Sequence, residues 1–135
     1  MISRLYLFRA LTVGWMTLIF FLSAQPSLPI VSLFYGADLL AHVAFYGVLC
    51  VLLVRSLVPP QVRTWKRVLI LTILVIAYGV TDEYHQSFVA GRDASAWDIL
   101  ADGTGGFLVA VALFWRDRRT IKISQFILPS ERKRA

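Results

Sequence analysis

The sequence predicts an all-α polytopic membrane bundle of four transmembrane helices with both termini cytoplasmic, and three observations carry the prediction. Hydrophobic residues fill 58% of the 135 positions and the mean hydropathy is +0.68. That is too apolar for a water-soluble domain of ordinary composition, and the chain is too short for two domains. Four apolar stretches, at about 5–24, 39–58, 66–88 and 97–115, are each long enough to cross ~30 Å of hydrocarbon at ~1.5 Å per residue. The polar residues are also segregated. Asp38, His42, Asp82, Glu83, His85, Asp93, Asp98 and Asp102 fall beside the first and third connections, while nearly all Lys and Arg lie in the second connection and the tails.

The first stretch follows Arg4 and Arg9 and ends before Pro26 and Pro29. It has the outline of a secretory signal, with Leu-Ser-Ala at its end. The bulky Leu22 and the nearby Pro26 argue against cleavage, so it is expected to be a retained helix. The second stretch holds the only cysteine, Cys50, which rules out an intramolecular disulfide and a cysteine metal cluster and is assigned to packing. Arg55 near its end can snorkel, and Pro59 and Pro60 close it. The third stretch ends in a polar run and breaks at Gly91-Arg92-Asp93; the fourth opens on Ser95-Ala96-Trp97-Asp98, a capping box. Short connections make neighbouring helices antiparallel. Trp65, Trp97, Trp115, Tyr6, Tyr35 and Tyr84 sit near span ends, where amphipathic rings favour the interface.

Orientation follows from the basic residues. Arg4 and Arg9 precede the first span; Arg55, Arg63, Lys66 and Arg67 flank the second connection; and Arg116, Arg118, Arg119, Lys122, Arg132, Lys133 and Arg134 follow the fourth span. Only Arg92 lies on the other side. Basic loops stay in the cytoplasm, so the polar cluster faces outward. The formal charge of +6 therefore reflects topology rather than a nucleic-acid surface, because no basic patch carries interleaved aromatics. In the tail, Ile121, Ile123, Phe126 and Ile127 alternate with basic residues, a pattern that either lies on the anionic inner surface or stays solvated.

Helical phase of ~100° per residue gathers the outward polar residues onto faces. Asp38 and His42 share one on the second span, Asp82 and Gln86 on the third with His85 and Glu83 at its flanks, and Asp98 and Asp102 on the fourth. Burying five or six acids in lipid at ~2.5–3.5 kcal/mol each would cost about 15 kcal/mol, more than the net stability of an ordinary domain. These groups must face one another, line a wet cavity or stay at the boundary. If the carboxylates converge, mutual repulsion favours keeping a proton or recruiting a hard divalent cation, with His42 or His85 making Zn²⁺ a further option. Asp82, Glu83 and Asp102 are the expected metal ligands, although their spacing fits no standard zinc signature. Plainer roles exist for some residues. Asp38 and Asp98 can cap helices, and His42 can be a hydrogen-bonded interior histidine. Gly103, Gly105 and Gly106, with Ala101 and Ala110, permit close helix contact rather than a phosphate loop, since no strand precedes them and no Lys-Ser/Thr follows.

Asp82-Glu83-Tyr84-His85-Gln86-Ser87-Phe88-Val89-Ala90-Gly91-Arg92, followed by Ser95, Asp98 and Gly106, resembles the signature of VanZ-like membrane proteins, which runs D/E-E-x-x-Q-x-F-x-P-G-R and then S, D and G. Asp38, His42 and Tyr46 resemble that family's D-K-x-x-H-x-x-x-Y, and Ser23-Ala24-Gln25-Pro26 its S-x-Q-P. The likeness covers about 23–110. Leu39 stands where the family commonly has Lys, Ala90 where it has Pro and Asp102 where it often has Asn, which makes this polar site more acidic. The resemblance implies a VanZ-like four-helix domain over 1–115, followed by a basic cytoplasmic tail over 116–135, in a bacterial cytoplasmic membrane. The family takes its name from a protein linked to resistance to the lipoglycopeptide teicoplanin.

Two classes of function fit the residues best. In the first, the outward site binds or modifies an envelope amphiphile, such as a lipid-linked precursor or a lipoglycopeptide. Arg92, Gln86, Asp38, Asp98 and Asp102 would hold it, and Asp82, Glu83 and His42 would move a proton or activate water. In the second, the polar network only holds the bundle together or docks a partner. Proton or ion transport is a weaker third, since the inner halves of the spans offer little that is polar beyond Thr72.

Overall fold

The computed structural model describes residues 2–26, 36–57 and 61–127, with the backbone alone for Ile2 and 121–127. Pro29, Tyr35, Pro59, Pro60, Arg132, Lys133 and Arg134, and the apolar side chains read into the tail, lie outside the described residues or side chains. Four helices follow in order: α1 (Ile2–Ser23), α2 (Ala37–Ser56), α3 (Trp65–Gln86) and α4 (Ala96–Ile127), with no strand among the described residues. Each contains a segment long and apolar enough to cross a membrane: Ser3–Ser23, Ala37–Ser56, Trp65–Gln86 and Ala96–Thr120. This is the architecture of a multi-pass membrane protein.

Local chemistry explains most helix ends. Gly36 enters α2 at φ 82°, a left-handed conformation that disfavours any side chain. Asp38 therefore sits in the first turn, where its charge suits the helix dipole, but it does not cap the helix. Thr64 caps α3 by accepting from the Arg67 amide at 3.3 Å. α3 ends in a turn that Gly91 completes at φ 81°. α4 runs past Trp115, where the apolar stretch stops, because no Gly or Pro interrupts positions 107–127 and arginine is a good helix former. Arg118 also lies over the Phe114 ring at 5.3 Å, and Asp117 ties α4 to the second connection.

α4 packs against both α2 and α3, and α1 lies mainly against α2. Contacts fix the helix directions. Arg9 at the start of α1 reaches the Ser56 carbonyl at the end of α2, and the Val62 amide donates to Asp117 near the end of α4. At the opposite pole Ser23 meets Asp82, and His42 meets Asp102. Helices consecutive in the chain are antiparallel, so α2 and α4 run parallel to each other, and the described residues start and finish at one pole.

Small residues set the closeness of the seams. A Cβ on Gly105 would run into the Val43 backbone, and one on Gly106 would stand 2.8 Å from the Val75 side chain. Tyr46, Leu49, Cys50, Val54, Val68, Leu71, Val75, Ala110 and Phe114 fill the interior. Outside, Leu11, Phe21, Leu69, Ile73, Leu100 and Leu108 are exposed. An apolar exterior is what hydrocarbon, not water, accepts. Trp65, Trp97, Trp115, Tyr6 and Tyr84 are exposed near helix ends, as an interfacial belt requires.

Candidate functional site

Among the described residues, the buried polar side chains Ser23, Asp82, Glu83, Gln86 and Asp102 gather at one pole. They form two linked groups. The first centres on Asp82, which is 1% exposed. Its Oδ1 accepts from Ser23 Oγ at 2.7 Å, and its Oδ2 accepts from Tyr46 Oη at 3.3 Å and more weakly from Gln86 Nε2 at 3.5 Å. The one hydroxyl proton of Ser23 also has the Phe20 carbonyl within reach at 2.9 Å, but the carboxylate is closer. Gln86 in turn accepts from Arg92 Nη2 at 3.1 Å. A chain of polar groups thus runs from α1 through α2 and α3 to the connection before α4.

The second group centres on His42. Its Nδ1 lies 2.8 Å from Asp102 Oδ1, and its Nε2 lies 3.9 Å from Asp98 Oδ2. With Asp102 accepting, Nδ1 carries a proton, so in the neutral imidazole it is Nε2 that has the lone pair. Asp102 is fully buried, and only the lack of a side chain at Gly79 leaves room for it against α3. Glu83 completes the group: its Oε2 accepts from the Ser95 amide at 2.8 Å, and its carboxylate lies beside His42 and Asp98.

That contact alters the expected capping box. Ser95 Oγ does accept from the Trp97 amide at 3.2 Å. The reciprocal bond, which Asp98 would make to the Ser95 amide in a closed box, is made by Glu83 from the neighbouring helix. Asp98 is thereby left facing His42.

The expected site residues are therefore sorted rather than pooled. Asp82, Gln86 and Arg92 belong to one group; His42, Glu83, Asp98 and Asp102 belong to the other. Asp38 makes no hydrogen bond or ion pair among the described residues, and Asp93 is exposed. His85 stacks on Phe20 at 4.0 Å, and its buried Nε2 has no hydrogen-bond partner among the described residues. The expected metal trio of Asp82, Glu83 and Asp102 is not what comes together: Asp82 turns to Ser23 and Tyr46, and Asp102 to His42. The atoms that share one space are those of His42, Glu83 and Asp98, all within 4.8 Å of one another. Asp117 went unread in the sequence; it is buried at the other pole, where it accepts from the Val62 amide at 2.7 Å. A lone acid among Arg116, Arg118 and Arg119 was the available signal.

A cavity of about 220 Å³ opens beside the first group. Ile19, Leu22, Ala41 and Phe45 make its apolar wall, and Ser23, His42, Tyr46, Asp82, Gln86 and Arg92 its polar lining. Arg92 forms no ion pair among the described residues and lines this space, with Asp98 its longer-range acidic neighbour. In comparison with known proteins, no family model, no curated protein and no solved structure matches the chain.

Proposed function

We propose that this is a VanZ-like protein of a bacterial cytoplasmic membrane, with cytoplasmic termini, that binds the anionic head of an envelope amphiphile at the outer leaflet. The observation that carries the reading is one cavity that combines an apolar wall of Ile19, Leu22 and Phe45 with a guanidinium, Arg92, that makes no ion pair among the described residues. Gln86 holds one edge of that guanidinium and so orients its remaining N–H groups for a phosphate or carboxylate. At about 220 Å³ the cavity is smaller than the ~300–1,000 Å³ typical of sites for drug-sized ligands. It suits a head group or a short length of acyl chain, with the rest of the molecule left in the bilayer. A lipid-linked precursor and the acyl part of a lipoglycopeptide both meet that description. Transport is disfavoured by the apolar interior of Leu49, Val54, Leu71, Val75 and Phe114 toward the other pole.

The test is thermal unfolding of the full chain in neutral dodecyl maltoside, with and without dodecyl phosphate. Ligand that binds only the folded state adds about 2.7 kcal/mol at a hundredfold excess over Kd, so the midpoint rises for the wild type. Arg92→Gln abolishes the rise. Arg92→Lys restores little of it, because an ammonium cannot reproduce the guanidinium fork. A rise of equal size in all three chains would leave only a bundle whose polar network is structural.

A further inference from the structure

Three helices each bring one group to the same space: His42 from α2, Glu83 from α3 and Asp98 from α4, with atoms of all three within 4.8 Å of one another. Glu83 is 3% exposed, and its second oxygen, Oε1, is buried with no hydrogen-bond partner among the described residues. An unpaired buried carboxylate oxygen is costly, at about 1–3 kcal/mol or more. Its carboxylate stands beside His42 and Asp98, where a cation shared by the three residues would supply a partner. The His42 Nε2 to Asp98 Oδ2 distance of 3.9 Å is too long for a hydrogen bond. It is somewhat longer than the separation of two ligands on one ion, which is about 3.3 Å for tetrahedral bonds of about 2 Å, and a bound ion would draw the two groups together.

Behind the histidine, Asp102 Oδ1 lies 2.8 Å from Nδ1. A carboxylate in that position fixes the tautomer that turns the Nε2 lone pair toward a metal and strengthens its donation. We infer that His42, Glu83 and Asp98 bind one divalent transition-metal cation, with Zn²⁺ the best match, and that Asp102 positions His42 rather than binding the ion. One imidazole with two carboxylates suits Zn²⁺ better than Mg²⁺ or Ca²⁺, which favour all-oxygen shells. Three protein ligands leave a fourth position for water or an oxyanion, next to the cavity whose wall His42 also forms. The inference is independent of the amphiphile reading.

The full chain, stripped with a chelator and returned to chelator-free detergent buffer, is titrated with Zn²⁺, and with Co²⁺ for its visible spectrum. The wild type takes up about one Zn²⁺ per chain, and Co²⁺ gives the visible absorption of a four-coordinate site. Asp98→Asn and Glu83→Gln weaken Zn²⁺ binding by at least about tenfold, Asp102→Asn weakens it by about 10–100-fold, and Asp93→Asn leaves it unchanged. The last variant removes the same charge from an exposed residue at the same pole, and so separates coordination from general attraction. Glu83 also holds the Ser95 amide, so if its variant fails to fold, Asp98→Asn decides, its side chain bonding no backbone group among the described residues. Folded wild-type chain that takes up no Zn²⁺, or equal binding by the Asp98 and Asp93 variants, would overturn the site. Zn²⁺ binding without a dodecyl phosphate response counts against the cavity reading alone, and the reverse pattern against the cation alone.

Discussion

At the residue scale, Asp82 shows how a buried acid is kept at the end of a membrane helix. It draws on a hydroxyl from α1, a phenol from α2 and an amide from its own helix. Interhelical hydrogen bonds in bilayers average ~0.6 and reach ~1.7 kcal/mol, and a short bond to a carboxylate belongs in the upper part of that range. Ser23→Ala is therefore expected to lower unfolding stability by about 1 kcal/mol. Tyr46→Phe, which loses the longer 3.3 Å bond, should cost less, by thermal or SDS unfolding in detergent. A reversed order would mean that Tyr46 is the main support of Asp82. Helical phase had already set Asp82 with Gln86 on one face and Asp98 with Asp102 on another. Phase alone could not say which of them would meet His42, since that depends on the rotation of α2 against α4.

At the level of the helices, glycine decides how near the elements come. Gly105 abuts backbone atoms of Val43, which cannot move aside without shifting α2, whereas Gly106 abuts the Val75 side chain and Gly14 faces open space. Overpacking costs about 1–3 kcal/mol, and a helical Gly→Ala change free of clashes gains roughly 0.5–1. The expected order of unfolding midpoints is Gly14→Ala at or above wild type, then Gly106→Ala, then Gly105→Ala. Because Gly105 sets the spacing of α2 and α4, its variant should also weaken Zn²⁺ uptake at His42 and Asp98, which a midpoint matched to Gly106→Ala with intact uptake would refute. The small residues of α4 were legible in the sequence as packing sites, and Ala101 and Ala110 are indeed buried. Their partners were not, since any apolar helix is a candidate neighbour until the bundle closes.

For the whole molecule, the two poles differ in chemistry: one carries the acid-histidine cluster, and the other carries Arg9, Arg55, Arg63 and Arg67 with Asp117 as a local tie. By the positive-inside rule the basic pole is expected in the cytoplasm. A membrane-impermeant maleimide should therefore label Asp93→Cys in intact cells, and Arg63→Cys only after permeabilisation. Both positions are exposed, while Cys50 is fully buried and gives little background. Labelling with the opposite sidedness would invert the orientation and remove the outer-leaflet ligand from consideration.

Hydropathy and charge are properties of the linear chain, so the sequence by itself determined the number of spans, their approximate limits, the antiparallel order and the pole that holds the titratable residues. It also marked Asp82, Glu83, Gln86, Arg92 and Asp102 as groups that lipid would not tolerate alone. Only the tertiary structure decided how they divide. The seams at Gly105 and Gly106 set how α2 and α3 lie against α4, and with that the pairing of His42 with Asp102 and of Glu83 with the Ser95 amide, while Asp82 meets Ser23 and Tyr46 where α1, α2 and α3 come together. A turn of ~100° per residue means that a one-residue slip in any seam would part these groups, so their meeting is a property of packing rather than of spacing.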